Sequence, residues 1–436
     1  MTTDHSSMPR PIHSVQLSRR AQWAAGDNVV SLLMARTLAQ PELISLAAGF
    51  VNPDTLPVEP TRRAMDRLAA QPAMARAALQ YGTTIGYLPL RDALLDRTLR
   101  AEGKTAHELP LSVNQVVVTA GSNQLLYLVS DTLFDPGDVV LCGAPSYFVY
   151  MGTLANLGVR AVGVAVDDDG MIPEAVEESL RRYQAAGELE RVKAIYVTSY
   201  YDNPTGITLA AERRAELVDL ALRWSRDRGQ RLHLIEDCAY RELRYRGDDL
   251  PSLRSFDPEG ETVIQAGTFS KSFSPGIRVG WGILPPKMVE PVLAQKANID
   301  FGSPNFNQIL MATVLEEGLF DEHVETVRQG YREKLDAMLT AADRHLAPLD
   351  DVQWLAPGGG LYVWLRLPEH VDTGLDGPLF DRAVDEGVLY VPGVYCYPTE
   401  GEQPANNTLR LSFGIQSCES IQQGIEALAR AIRKVL

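Results

Sequence analysis

Lys271 stands in the stretch Thr268-Phe269-Ser270-Lys271-Ser272-Phe273-Ser274-Pro275-Gly276-Ile277-Arg278, with hydroxyls one and three residues before it and an arginine seven residues after it. An amine, a guanidinium and clustered hydroxyls suit a ligand that carries both an aldehyde and a phosphate. The amine condenses with the aldehyde, while the cation and the hydroxyls take the phosphate. Pyridoxal 5'-phosphate combines the two groups on one ring, and a lysine Schiff base is how proteins hold it. A lone lysine after a strand is ordinarily a solvated surface charge, so the reading depends on what else the chain supplies.

Four further clusters supply the rest. Gly121-Ser122-Asn123 opens a helix whose N-terminal N–H groups can take a phosphate. Asp202-Asn203-Pro204-Thr205-Gly206 places an amide before a proline turn, where Asn203 can donate to a phenolate oxygen on the ring. Glu236-Asp237-Cys238-Ala239-Tyr240 puts a carboxylate at a strand end. Asp237 there can hold a proton on a pyridine nitrogen, and the pairing would pull its own pKa down. Tyr240 can share the phenolate with Asn203. Pro145-Ser146-Tyr147 offers an aromatic ring to stack on the cofactor.

The elements that must position these groups alternate strand and helix, as in a mostly parallel α/β sheet. Apolar runs predict strands at 115–119, 139–142, 193–198, 232–235 and 263–266. Helices are predicted from Asn123 to Leu133 and from about Ala210 to Arg228, the latter with Leu217, Leu220, Ala221 and Trp224 on one stripe and Gly229 at its cap. A long helix should run from Asp321 to about His345, and a strand over 361–367. Gly358-Gly359-Gly360 before that strand reads as a tight lead-in and not as a phosphate loop, because no helix follows. Each polar cluster falls just after a strand, where open parallel sheets bind ligands.

Composition narrows the class. The 436 residues exceed what one growing core usually organises, so a large domain at about 75–320 and a smaller one from 1–74 with 321–436 are expected. A formal charge of −15 argues against a nucleic-acid partner. Cys142, Cys238, Cys396 and Cys418 lack CxxC spacing, which excludes a zinc ribbon and fits a reduced, cytoplasmic setting. No apolar run approaches membrane-spanning length, and the N-terminus lacks the apolar core of a secretory leader. HExxH, P-loop, GxSxG and GxGxxG signatures are absent, so no metal site is expected.

Taken in order, these residues resemble the class I/II aminotransferase family of fold type I pyridoxal-phosphate enzymes. The branch that the chain is most similar to contains 2-aminoadipate, kynurenine and aromatic aminotransferases. The likeness runs from about Leu43 to the C-terminus. Besides the clusters above it rests on Ile44-Ser45-Leu46-Ala47-Ala48-Gly49, Tyr81-Gly82-Thr83-Thr84-Ile85-Gly86-Tyr87, Pro357-Gly358-Gly359-Gly360 and Asn407-Thr408-Leu409-Arg410-Leu411-Ser412-Phe413.

The resemblance implies a large domain with a mostly parallel seven-stranded sheet plus a smaller α/β domain. It implies transfer of an amino group from an L-amino acid to a 2-oxo acid. Lys271 would be the Schiff-base lysine, Asp237 the partner of the ring nitrogen, Asn203 and Tyr240 the phenolate donors, and Tyr147 the stacking ring. Ser122, Asn123, Thr268, Ser270 and Arg278 would form the phosphate cup. Tyr81 would reach the phosphate of a neighbouring subunit, making the active unit a homodimer. Arg410 would grip the substrate carboxylate, and Gly49 would give it a backbone contact. Arg19 or Arg20 is a candidate for a distal carboxylate, with Trp23 lining an apolar pocket; a solvated basic turn is the other reading. Two positions depart from the family pattern, Asn123 where glutamine is expected and Asp202 where asparagine is common, and both read as drift. A pyridoxal-phosphate lyase on the same site, and a non-catalytic effector domain like those fused to helix-turn-helix regulators, are the alternatives.

Overall fold

The computed structural model of the chain describes residues 15–23, 33, 36, 39, 40 and 42–436. Most of the N-terminal segment assigned above to a smaller domain therefore lies outside the described residues as far as residue 41. Among those described, the central element is a nine-stranded sheet. Seven strands have four residues or more: Arg160–Asp167, Val139–Ala144, Val192–Thr198, His233–Asp237, Val263–Thr268, Gly280–Ile283 and Val116–Thr119, in that spatial order. Two-residue strands at Glu400–Gly401 and Gly170–Met171 extend it beside Arg160–Asp167. Every neighbouring pair among the first five long strands is parallel, and Gly280–Ile283 runs antiparallel to both of its neighbours. Six of the long strands therefore point the same way, and their carboxyl ends form one edge.

Sequence explains why this sheet forms where it does. Val116–Thr119, Val139–Ala144 and Val263–Thr268 are buried along their whole length, as expected of strands covered on both faces. One face packs on a helix at Ala211–Arg228, through Leu217, Leu220, Ala221 and Trp224. Its C-terminal residue is followed by Gly229 with φ 68°, the left-handed cap expected of that glycine. The other face carries Leu125, Leu126, Leu128 and Val129 of the helix Ser122–Leu133. Two long strands were not anticipated. Arg160–Asp167 is only partly buried and its apolar stretch is interrupted by Gly163, and Gly280–Ile283 has glycine at two of four positions, which weakens the pattern that marks a buried strand.

Register then aligns the functional positions. Gly280 is paired with both Thr268 and Thr119, and Asp237 is paired with both Thr198 and Ala266. The side chains after these residues must therefore emerge in adjacent rows. Gly280 is there because nothing larger fits: a Cβ would lie 2.5 Å from the Gly121 carbonyl carbon and 2.6 Å from the Ser122 nitrogen. The strand thus presses directly against the start of the helix Ser122–Leu133.

The C-terminal region holds a second, antiparallel sheet in the order Gln353–Trp354, Tyr362–Arg366, Thr408–Ser412, Val391–Pro392. The helices Leu319–His345 and Cys418–Arg433 pack on one another, the second burying Ile421, Ile425, Leu428 and Ile432. A short parallel pair joins Ile44–Ser45 to Val388–Leu389, tying the segment that leads to Gly49 onto this region. The glycine run performs the expected lead-in. Gly360 has φ 73° and donates its N–H to the Leu243 carbonyl, and Cβ atoms at Gly359 and Gly360 would collide with Tyr201.

The close approach at Gly280 gives a direct test. Gly280→Ala should force the strand and the helix start apart and cost roughly 1–3 kcal/mol, the usual range for overpacking, read as a lower urea midpoint of the intact protein. A midpoint equal to that of the wild type would contradict this contact.

Candidate active site

Five polar groups gather at the carboxyl edge of the large sheet, and a sixth reaches it from the second sheet. Asp237 is the last residue of its strand. Its Oδ1 accepts from the Ala239 N–H at 3.1 Å and its Oδ2 from the Tyr196 hydroxyl at 3.1 Å. Burial pushes this carboxyl up to about 6, against the pull of those two donors. Among the described residues no cation pairs with Asp237, so desolvation is the larger effect; the lowering expected from the sequence is that of a carboxylate paired with a ring nitrogen.

The helix Ser122–Leu133 begins at Gly121, φ 86°, without a side-chain cap, which leaves its first N–H groups facing outward. The Arg278 guanidinium lies against this opening. It donates to the Ala120 carbonyl at 3.2 Å and to the Pro275 carbonyl at 3.1 Å, and a Cβ at Gly121 would come within 2.8 Å of its Nη2. Arg278 itself has φ 51°, a left-handed backbone that turns the chain back into Gly280–Ile283. Thr268 and Ser270 stand together, with the Thr268 hydroxyl donating to Ser270 Oγ at 2.9 Å and accepting from the Ser270 N–H at 3.1 Å. Free helix N–H groups, a guanidinium and two hydroxyls form a cradle that fits a phosphate. The Asn123 side chain is directed elsewhere: it hydrogen-bonds the Tyr147 hydroxyl. Its contribution to the cradle is therefore its backbone, and its side chain orients Tyr147, whose phenol burial pushes above its usual range.

Lys271 is half-buried and its Nζ donates to the Gly49 carbonyl at 3.0 Å, which brings together two positions 222 residues apart. Arg410, in the strand Thr408–Ser412, is buried; its Nη1 donates to Asn203 Oδ1 and its Nη2 to the Ala47 carbonyl, both at 2.8 Å. Its Nε has no partner, and among the described residues it pairs with no carboxylate. Because Asn203 spends its oxygen on Arg410, its amide N–H₂ remains available to donate.

Three residues of the site escaped sequence reading. Tyr362 lies under Arg410, whose Cζ is 4.3 Å from its ring centre, and its hydroxyl is 3.4 Å from that of Tyr240. Burial by itself would raise the Tyr362 phenol, but the Arg410 guanidinium and the Lys271 ammonium outweigh it and hold the phenol below its usual range; burial pushes Tyr240 well up. Phe148 also faces Arg410, at 5.4 Å. Tyr196 supports Asp237. Tyr362 and Tyr196 lie inside strands, where alternation explains an aromatic side chain without any function, and Phe148 begins a helix.

Two predicted positions are not brought to this cluster within the chain. Tyr81 is 82% exposed, edge-on to Phe301 at 5.5 Å. Arg19 is exposed, its neighbour Arg20 pairs with Asp131 at 3.1 Å, and a Cβ at Gly158 would collide with Trp23. Asp131 lies nine residues along the helix from Ser122, about 14 Å from the phosphate cradle at 1.5 Å per residue. The helical turn Arg19–Trp23 thus sits at the far end of that helix.

Comparison with known proteins gives concordant results. A family model described as aminotransferase class I and II matches residues 41–428. Aromatic-amino-acid aminotransferase 1 of Thermococcus litoralis is 34% identical over 397 residues, covering 90% of this chain and 88% of that protein. The 2-aminoadipate transaminase of Thermus thermophilus is 34% identical over 399 residues, covering 91% and 92%. The crystal structure of Pyrococcus horikoshii kynurenine aminotransferase, in complex with PMP, superposes with a TM-score of 0.87 at 31% identity over 96% of this chain and 97% of that one.

The cradle predicts a binding defect. Charge-assisted hydrogen bonds contribute about 1.5–3 kcal/mol, so Arg278→Ala should weaken pyridoxal phosphate roughly 10- to 150-fold. Fluorescence titration of the stripped protein measures this, and an unchanged Kd would remove Arg278 from the site.

Proposed function

The chain belongs to the class I and II aminotransferases and is a pyridoxal-phosphate-dependent transaminase of fold type I, and on that footing we propose how its own residues run the reaction. The observation that carries the assignment of roles is a pair of buried charges left unmatched among the described residues: the Asp237 carboxyl without a cation and the Arg410 guanidinium without a carboxylate. A pyridine nitrogen answers the first, and the carboxylate of an amino acid or 2-oxo acid answers the second.

Bound pyridoxal phosphate supplies an aldehyde that links to amines and a ring that withdraws electrons from the substrate Cα. Asp237 holds a proton on the ring nitrogen, and the Tyr196 and Ala239 donors steady its charge. Asn203 and Tyr240 donate to the ring oxygen, and Tyr147 stacks on the ring face. Ser122, Asn123 through its N–H, Thr268, Ser270 and Arg278 hold the phosphate. Arg410 orients the substrate by its carboxylate, a planar two-pronged contact suited to guanidinium. Lys271 first anchors the aldehyde. When freed by a substrate, its amine would be the group placed to take a proton from the substrate Cα and give it back, as base and then acid. The Gly49 carbonyl, 3.0 Å from Nζ, keeps that amine aimed into the site. Tyr362 and Phe148 wall the carboxylate site. Transamination, not elimination, is the reaction of the relatives described above. The arrangement of Arg19 and Arg20 in this chain supports no role for them in their own pocket.

We further propose that the active unit is a homodimer. Leu79, Tyr81, Leu88, Ile299 and Phe301 are 51–82% exposed in the single chain, a concentration of large apolar side chains that marks an interaction face. Across it, Tyr81 would donate to the partner's phosphate. Four free cysteines, three of them buried, favour the cytoplasm. Among the described residues no helix is long and apolar enough to cross a membrane. The division into a large domain at 75–320 and a smaller one from the two chain ends stays with this proposal, supported by the separate antiparallel sheet of the C-terminal region.

Two measurements test these assignments. Lys271→Ala should lose turnover by at least about 10⁴-fold, a loss typical of removing a covalent and acid–base group together, while still binding pyridoxal phosphate; full activity would overturn the role. Tyr81→Phe removes a hydroxyl that is solvent-exposed in one chain. A dimer predicts about two- to tenfold weaker cofactor binding, the worth of one hydrogen bond; unaltered binding together with a monomer mass in sedimentation would refute the shared site.

A further inference from the structure

We propose that Gln124, bridged to Asp300, is a positioning residue for the cofactor phosphate. It holds the chain at Ala120, where the Arg278 guanidinium meets the first N–H groups of the helix Ser122–Leu133. The inference rests on the assignment of those groups to a phosphate.

The bridge begins with a carboxylate in a place that local physics disfavours. Asp300 is the last residue of the helix Pro286–Asp300, where the negative end of the helix dipole opposes an acidic side chain. Lys296, one turn earlier, holds it there. That lysine's side chain is wholly buried, and its Nζ donates to both Asp300 oxygens at 2.8 Å. A buried ammonium is costly unless it is paired, so this pair belongs to the interior and is not an ordinary surface contact. Asp300 has a further partner in Gln124, 176 residues away, whose Nε2 donates to its Oδ2 at 2.8 Å. The two helices also share one apolar cluster, Leu125 and Leu128 from the first with Met288 and Val292 from the second. The bridge thus joins elements that are already packed together.

From Asp300 the contacts run on to the cradle. Gln124 Oε1 accepts the Ala120 N–H at 2.7 Å, and the Ala120 carbonyl accepts from Arg278 Nη2 at 3.2 Å. Ala120 is therefore gripped by both of its backbone groups, one residue before Gly121 turns the chain into the helix. The Thr119 hydroxyl closes the same turn by donating to the Gly121 carbonyl at 3.0 Å. An amide suits position 124 because one end must accept from an N–H and the other must donate to a carboxylate. Glutamate there would take the N–H but face Asp300 with like charge, and leucine would do neither. A helix cap explains half of this, since a side chain at the third helical position commonly reaches back to a backbone N–H. A cap needs only the oxygen. The contact of the amide nitrogen with a carboxylate on another helix makes the shape of the cradle depend on Asp300.

The consequence is specific to the phosphate. Groups aimed at an anion bind it well only while their supports hold them in place. Lys271, Asp237, Asn203 and Tyr240 are assigned to the ring and its aldehyde, so a fault in the bridge should spare them.

The experiment compares pyridoxal phosphate with pyridoxal, which lacks the phosphate and still condenses with Lys271. Each is titrated into the stripped protein and followed by visible absorption, and the ratio of the two dissociation constants is the readout. Gln124→Leu should weaken pyridoxal phosphate about three- to tenfold, the worth of one hydrogen bond, and leave pyridoxal unchanged. Asp300→Leu combined with Lys296→Met removes both buried charges together and should reduce the preference for the phosphate by a similar factor. Adding Gln124→Leu to that pair should weaken binding no further, because the residues act in series. Asp300→Asn keeps an oxygen for the Gln124 amide and should retain most of the wild-type preference. A wild-type ratio in Gln124→Leu would overturn the inference. So would equal weakening of both ligands, the mark of a merely structural role, or strictly additive losses in the combined variant. Arg278→Ala separates this inference from the cradle itself. If it too leaves the ratio unaltered, the phosphate assignment fails; if it alters the ratio while Gln124→Leu does not, only the role of Gln124 fails.

Discussion

An ionised carboxylate and a guanidinium are expensive to bury apart from one another, and this protein buries one of each in the same site without pairing them among the described residues. Asp237 is at a strand end between its parallel neighbours; Arg410 is in a different sheet and is held off by Asn203 and the Ala47 carbonyl. An unpaired buried charge costs several kcal/mol, and much of the architecture serves to sustain that cost. The fully buried strands exclude water from the Asp237 side. The tight loop at Asp202–Gly206 presents Asn203 Oδ1 to Arg410, so that Arg410 is satisfied by neutral acceptors and remains open to a carboxylate. A ligand with a basic ring nitrogen at one end and a substrate carboxylate at the other relieves both charges at once.

The same constraint explains why the site is spread over the chain. No short segment could hold opposite charges apart in a dry interior. Residues near 49, 121, 203, 237, 271 and 410 are brought together by the register of one parallel sheet and by the short pairing of Ile44–Ser45 with Val388–Leu389. Glycine supplies the remaining closeness. Gly280 lets a strand touch a helix start, and at Gly49 a Cβ would stand 2.5 Å from the Tyr362 hydroxyl.

Most of this was legible in the sequence. Asp237, Tyr240, Lys271 and Ser122 follow apolar runs directly, so the period of the pattern locates them at strand ends. That positions 49, 203, 271 and 410 share one site came only from family resemblance, since sequence spacing carries no information on contacts 200 residues apart; the Lys271–Gly49 and Arg410–Asn203 contacts themselves were not anticipated. Tyr362, Phe148 and Tyr196 were hidden because aromatic residues in or beside strands are ordinary core. The rise that burial gives Asp237 in the absence of a paired ring nitrogen was not read from the sequence, because a strand-end position does not by itself report desolvation. The side-chain direction of Asn123 could not be read from spacing, since a helix N-terminus places its backbone and leaves its rotamer open.

The account stands on one claim, that Asp237 and Arg410 serve a cofactor and an amino acid between which an amino group is exchanged. The direct measurement is the visible absorption of the wild-type enzyme loaded with pyridoxal phosphate, followed while single L-amino acids and then a 2-oxo acid are added. The account predicts a yellow band that is bleached by an amino donor and restored by the oxo acid, with no net release of ammonia. A band that persists while ammonia or pyruvate accumulates would contradict it.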